Sequence, residues 1–153
     1  MKYVGKNIPR NDGFDKATGL GQFTMDVSMP HMLYARVLRS PYAHAKVVKI
    51  DTSAAEALPG VVTVCTFENT TNKPFNTSAT MVTTPRPAEP VRDQTIFTDE
   101  PKYIGDEVAA VAAETEAIAA EAIKRIKVEY EVLPAVYDPV EALKPDSPEV
   151  QPL

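Results

Sequence analysis

Residues 107–132 read Glu107-Val108-Ala109-Ala110-Val111-Ala112-Ala113, then Glu114-Thr115-Glu116-Ala117-Ile118-Ala119-Ala120-Glu121-Ala122-Ile123-Lys124-Arg125-Ile126, then Lys127-Val128-Glu129-Tyr130-Glu131-Val132. The first run carries small apolar residues at odd and even positions alike, the pattern of a strand buried on both faces. Thr115 can accept from the opening turn of a helix, and Glu116 suits the positive end of that helix. Ile118, Ala119, Ala122, Ile123 and Ile126 fall on one stripe, with Glu116, Glu121, Lys124 and Arg125 largely opposite. The last run alternates strictly and predicts a strand with Val128, Tyr130 and Val132 facing inward. The stretch is therefore β-α-β in order.

The same order stands upstream. Lys46–Ile50 is β-branched and predicts a strand, Asp51-Thr52-Ser53 supplies capping side chains, and Ala54–Leu58 predicts a short helix closed by Pro59-Gly60. Val61–Thr66 predicts the next strand. Before it, Met32–Leu38 alternates with Leu33, Ala35 and Val37 on one face, and stops at Ser40-Pro41 because proline cannot donate to a ladder. Two β-α-β segments predict an α+β fold, a mixed sheet covered on one face by helices. Residues 1–22 show no periodicity and predict an irregular arm ending near Gly19-Leu20-Gly21. One domain is expected over residues 1–143, interrupted by a long Pro- and Thr-rich loop at 70–93. A short helix is expected over Pro139–Leu143, and residues 144–153 read as a connector or truncated tail.

Composition narrows the function. Apolar residues make up 44% of the 153-residue chain, enough for a buried core. Sixteen Lys and Arg against 21 Asp and Glu give a net charge of −5, which argues against nucleic acid or an anionic membrane as partner. No apolar run is long enough to span a bilayer, and the first residues lack the apolar core of a secretory signal. A reduced, cytoplasmic setting fits a single cysteine, Cys65, which excludes an internal disulfide or a cysteine-built iron–sulfur site.

Chemistry-bearing residues are few. His31 and His44, the two histidines, form no ligand doublet, so no metal site is expected. Cys65 lies in an apolar strand without a neighbouring base and reads as packing. Asp99-Glu100 and Asp106-Glu107 are adjacent pairs, which in a strand point to opposite faces and make no acid/base dyad. Gly19-Leu20-Gly21 lacks the strand before it and the helix after it that a phosphate loop requires. No catalytic, cofactor-binding or metal-binding residue is assigned.

Longer strings are specific. Val4-Gly5-Lys6, Arg10-Asn11-Asp12 and Lys16-Ala17-Thr18-Gly19 are followed by Met32-Leu33-Tyr34-Ala35-Arg36-Val37-Leu38-Arg39-Ser40-Pro41 and Ala43-His44-Ala45. Ile50-Asp51-Thr52-Ser53, Leu58-Pro59-Gly60-Val61 and Tyr103-Ile104-Gly105-Asp106-Glu107-Val108-Ala109-Ala110-Val111 come next in the same order. The chain resembles the α/β hammerhead domain of the molybdenum-binding large chain in the xanthine dehydrogenase/aldehyde oxidase (molybdenum hydroxylase) family. The resemblance implies an oxidoreductase performing oxidative hydroxylation at a molybdopterin centre, with electrons leaving through [2Fe–2S] clusters, usually to FAD. It also implies that those groups sit in other molybdopterin-binding domains and in an iron–sulfur domain or subunit, so the chain alone is expected to be inactive.

Arg, Tyr and His are residue types that concentrate at interfaces, and the turn from Arg39 through Tyr42 to His44 holds one of each. Together with Tyr103, Gly105 and Asp106 it is expected to face the rest of such an enzyme, exposed and poorly satisfied in this chain, with Gly105 allowing close approach. Two other readings compete. One is a free-standing, non-enzymatic binding module on the same fold. The other is a small enzyme using Asp106 or Glu107 with His44 in one cleft.

Overall fold

Glu107–Ala113 is the central strand of a three-stranded sheet in the computed structural model, which describes residues 4–75, 92 and 94–150. In chain order the elements are α1 (Gly13–Thr18), β1 (Tyr34–Arg39), β2 (Ala45–Asp51), α2 (Ser53–Glu56), β3 (Val61–Thr66), β4 (Glu107–Ala113), α3 (Glu116–Arg125), β5 (Lys127–Val132) and α4 (Pro139–Ala142). They fall into two compact units, Met1–Met32 and Leu33–Leu153.

The smaller unit corrects one expectation. Its residues do not form a wholly irregular arm, because α1 and a 3-10 turn at Thr24–Asp26 lie within it. Neither element has an apolar stripe; local bonds make them. Lys16 Nζ pairs with Asp12 Oδ2 at 2.5 Å. Leu20 and Gly21 N–H groups both donate to Asp15 O, and Gly19 closes α1 at φ 76°, a left-handed conformation suited to glycine. The Asp26 carboxylate accepts from Phe23 N–H at 2.9 Å.

In the larger unit β4 pairs antiparallel with β1 on one edge and β3 on the other. Residues opposite one another share a face. The rows Tyr34–Ala113–Val61, Arg36–Val111–Val64 and Leu38–Ala109–Thr66 therefore look one way. Helices α2 and α3 cover that side: Ala55, Ala122 and Ile126 join Val64, Ala109 and Val111 in one buried cluster, with Leu38, Leu58 and Ile123 packed against it. Arg36 forms an ion pair with Glu116 on α3. Thr115 Oγ1 accepts from Ile118 N–H at 3.2 Å, as its place before the stripe predicts. Gly60 lets α3 come close, since a Cβ there would lie 2.6 Å from Ile118 Cδ1. Ile118 and Ile123 are only partly buried, so the stripe is seated on Ala119, Ala122 and Ile126.

The α+β class holds, with both β-α-β segments present, but the strands divide between two antiparallel sheets instead of one mixed sheet. Among the described strands β2 pairs with β5 alone. Two constraints explain this. Residues 52–60 between β2 and β3 are fewer than the dozen or so a parallel crossover needs. β4 already gives both edges to β1 and β3, which leaves β5 to pair with β2.

On the outer face of that second sheet Lys46 stands opposite Glu131, Lys49 opposite Glu129 and Asp51 opposite Lys127. Ala45 and Val47 are buried on the other face, where Val128 and Tyr130 are half-buried; Val132, at the strand end, is exposed. The segment after the long loop joins the sheets: Ala45 and Val47 N–H groups donate to Pro101 O and Asp99 O, and Thr98 N–H donates to Glu107 O. Most of the loop expected at 70–93 lies outside the described residues; Phe75 and Gln94 at its ends form an antiparallel bridge. Helix α4 ends one residue before the expected limit, capped by Asp138.

Candidate functional site

Residues 40–44 turn the chain from β1 into β2, and residues 102–106 lead into β4. The two turns named from the sequence meet. Ser40 N–H donates to Asp106 O at 2.9 Å, and Gly105 N–H donates to Ser40 O at 2.8 Å. Arg39 Nη1 donates to Gly105 O at 2.7 Å and to Glu107 Oε1 at 2.6 Å. A register shift between Leu38 and Arg39 sets Arg39 opposite Glu107, which makes that pair possible. Gly105 has φ 99°, and a Cβ there would meet nothing within 4 Å. Its requirement is thus conformational, and no close approach among the described residues uses it.

Exposure divides the six candidates. Arg39, Tyr42 and Tyr103 are exposed, whereas His44 and Asp106 are each only 7% exposed. The expectation of exposed, unsatisfied side chains therefore fails at both buried positions. Asp106 turns inward because its carboxylate caps the turn, accepting from Lys102 N–H at 2.9 Å and from Glu107 N–H at 3.1 Å. His44 Nδ1 lies 2.7 Å from Pro134 O, an acceptor, so that nitrogen carries the proton. Leu133 N–H donates to His44 O, and the histidine so ties the turn to the end of β5. Among the described residues its Nε2 has no hydrogen-bond partner; it comes 3.6 Å from Glu100 Oε1, beyond hydrogen-bond reach. Tyr42 sets its ring edge-on to Tyr130 with centroids 5.2 Å apart.

Three contributions escaped the sequence reading. Ser40 is buried; its Oγ accepts from Tyr42 N–H at 3.1 Å and donates to Tyr42 O at 3.0 Å, a local turn bond that a Ser-Pro pair could have suggested. Glu107 links the turns, and Pro134 O holds His44; neither long-range role has a local signal.

A cleft of about 660 Å³ opens beside the second turn, with Gln94, Glu100, Lys102, Tyr103 and Asp106 in its wall. Tyr103 Oη accepts from Gln94 Nε2 at 3.0 Å and donates to Glu107 Oε2 at 3.4 Å. Burial, and then the charges of Asp106 and Glu107, push its phenol above the ordinary value, so it is a neutral donor at pH 7. The two carboxylates named for a small enzyme are already engaged: both Asp106 oxygens take backbone N–H groups, and Glu107 is held by Arg39. The small-enzyme alternative loses its acids to these bonds. Among the described residues no group of three or more His, Cys, Asp or Glu could hold a metal ion, and no helix is long and apolar enough to cross a membrane.

Comparison with known proteins points to one family. Residues 18–134 match the family described as aldehyde oxidase and xanthine dehydrogenase, a/b hammerhead domain. The probable hypoxanthine oxidase XdhD of Escherichia coli O157:H7 is 37% identical over 150 residues, 98% of this chain and 15% of the relative. The xanthine dehydrogenase molybdenum-binding subunit of the same organism is 35% identical over 138 residues, 90% of this chain and 18% of the relative. The crystal structure of the aldehyde oxidoreductase from Desulfovibrio desulfuricans ATCC 27774 superposes with a TM-score of 0.82 at 33% identity, covering 95% of this chain and 16% of that one. The chain thus spans about a sixth of these relatives, and it belongs to the aldehyde oxidase and xanthine dehydrogenase family as its α/β hammerhead domain.

Proposed function

We propose that this chain serves as a structural and interface domain of a molybdopterin-dependent oxidoreductase, presenting its two joined turns to the remainder of the enzyme. The row Arg39–Glu107–Tyr103 carries the proposal: it is bonded end to end, yet Arg39 and Tyr103 remain exposed. Held side chains of these types at a surface lose little further freedom on docking, which favours an interface role. Partners on this reading are the remaining molybdopterin-binding domains of the large chain and an iron–sulfur domain or subunit.

The cofactors belong to those parts. A single cysteine cannot supply the four thiolates of a [2Fe–2S] cluster, and this chain has no glycine-rich phosphate loop for molybdopterin or FAD. The molybdenum group, where bound, supplies oxidative hydroxylation. Relatives named for hypoxanthine, xanthine and aldehydes share this domain, which supports a substrate choice made elsewhere in the enzyme. The free thiol of Cys65 suits a cytoplasmic location.

Arg39→Ala tests the interface. Its ion pair is more than a third exposed on the arginine side, so the 153-residue chain should lose at most about 1 kcal/mol. The assembled, molybdenum-loaded enzyme should fall in yield. A loss above about 2 kcal/mol in the chain alone would make Arg39 an internal structural residue. Unchanged assembly would leave the free-standing module as the better account.

A further inference from the structure

We infer that the helix-free face of the three-stranded sheet is a second docking surface, covered in the enzyme by an apolar face of the remaining large-chain polypeptide. The inference rests on the domain role proposed above and deepens it. Two complete rows cross this face, Ala35–Ala112–Thr63 and Val37–Ala110–Cys65. None of the six residues is charged, and all are small. Ala110 and Ala112 sit on the central strand, flanked on both edges, yet both stay partly exposed. Val108, which precedes them on this face by alternation, has no exposed surface, so the uncovered part is confined to these two rows.

The composition of β4 says that cover exists. A strand with solvent on one face alternates apolar with polar residues, whereas Val108–Ala113 carries no polar residue on either face. Small side chains let another backbone approach closely and leave little room for ordered water. The patch measures on the order of 100–200 Å², from strands about 4.8 Å apart and two residue pairs along each. A stable dimer buries about 800 Å² per partner, so a second copy cannot be held by this face alone. A segment of the same polypeptide meets no such requirement, because covalent continuity supplies a high effective concentration. This domain makes up 15% and 18% of the two curated relatives, so ample chain exists to supply it.

Cys65 lies in the second row and is the chain's one thiol, which makes it a reporter. The rate at which N-ethylmaleimide modifies Cys65, followed by mass spectrometry of its peptide, is compared between the 153-residue chain and the assembled enzyme containing it. The expected result is slowing by about tenfold or more in the enzyme, as for a group reached only through local opening. Ala112→Arg should leave the melting temperature of the chain nearly unchanged and reduce recovery of assembled enzyme. Should that variant fail to fold, the wild-type labelling rates still decide. Equal rates in both contexts overturn the inference. So does a chain that dimerises alone with Cys65 already protected, which would make a second copy the occupant. An assembled enzyme without molybdenum would refute the domain's proposed function, while Cys65 protection would still report on the face.

Discussion

The two sheets of the larger unit are held by different forces. The three-stranded sheet buries Val64, Ala109, Val111 and Ala113 under two helices, and a side chain such as Val111, with no exposed surface, contributes about 1.5–3 kcal/mol by leaving water. The two-stranded sheet buries only Ala45 and Val47 fully and faces water with three rows of opposite charge. Cross-strand pairs of that kind contribute about 0.2–1 kcal/mol each and are screened by salt. The first sheet, whose ion pairs Arg36–Glu116 and Arg39–Glu107 lie outside its buried cluster, should therefore respond less to ionic strength and pH than the second. It is also the second sheet that His44 and Tyr42 tie to the candidate interface.

The largest effect should come from the burial-held sheet. Ile126→Ala removes a side chain 8% exposed and should cost about 2–5 kcal/mol in a urea melt, whereas Ile123→Ala, half-buried on the same helix, should cost about 1–2 kcal/mol. Equal losses, or an Ile126 loss within about 0.5 kcal/mol, would break the account of how α3 is seated. Next, Lys49→Glu sets like charges opposite at Glu129 and should cost about 0.2–1 kcal/mol. That cost should shrink in 1 M salt while the Ile126 cost persists; a salt-independent loss would mean Lys49 acts through packing.

The smallest effect is a pH response. The Asp51 carboxyl is held below the usual carboxylate range by the Ser53 hydroxyl first, then by the Ser53 N–H, with the Lys127 and Lys49 charges adding to this. A folded value below the unfolded one means that the contribution is present above the unfolded pKa of about 3.9 and is lost as pH falls through the folded one. Asp51→Asn should accordingly flatten the fall in melting temperature below about pH 5. Parallel acid profiles for the two proteins would remove Asp51 from the acid response.

Strand and helix positions were legible because they rest on local periodicity: Val61–Thr66, Glu107–Ala113 and Lys127–Val132 appear with the bounds their patterns imply. The helix α1 was not, since Asp12, Asp15 and Gly19 stabilise it without an apolar stripe. The two turns of the candidate site were legible as residue types, but not the inward rotation of His44 and Asp106. Their partners, Pro134 for one and the Lys102 and Glu107 N–H groups for the other, are fixed only once the turns close.

By itself the sequence determined the periodic elements, the family and the absence of cluster-ligating cysteines, because alternation, motif order and residue count are properties of the chain read in line. The tertiary structure alone decided that β4 gives both its edges to β1 and β3. It alone joined Arg39 to Gly105 and Glu107 across a separation of more than 60 residues. It also left Ala110 and Ala112, on one face of a doubly apolar strand, partly exposed. Such outcomes depend on register and on competition for strand edges, which are settled by packing among distant segments and leave no local mark in the sequence.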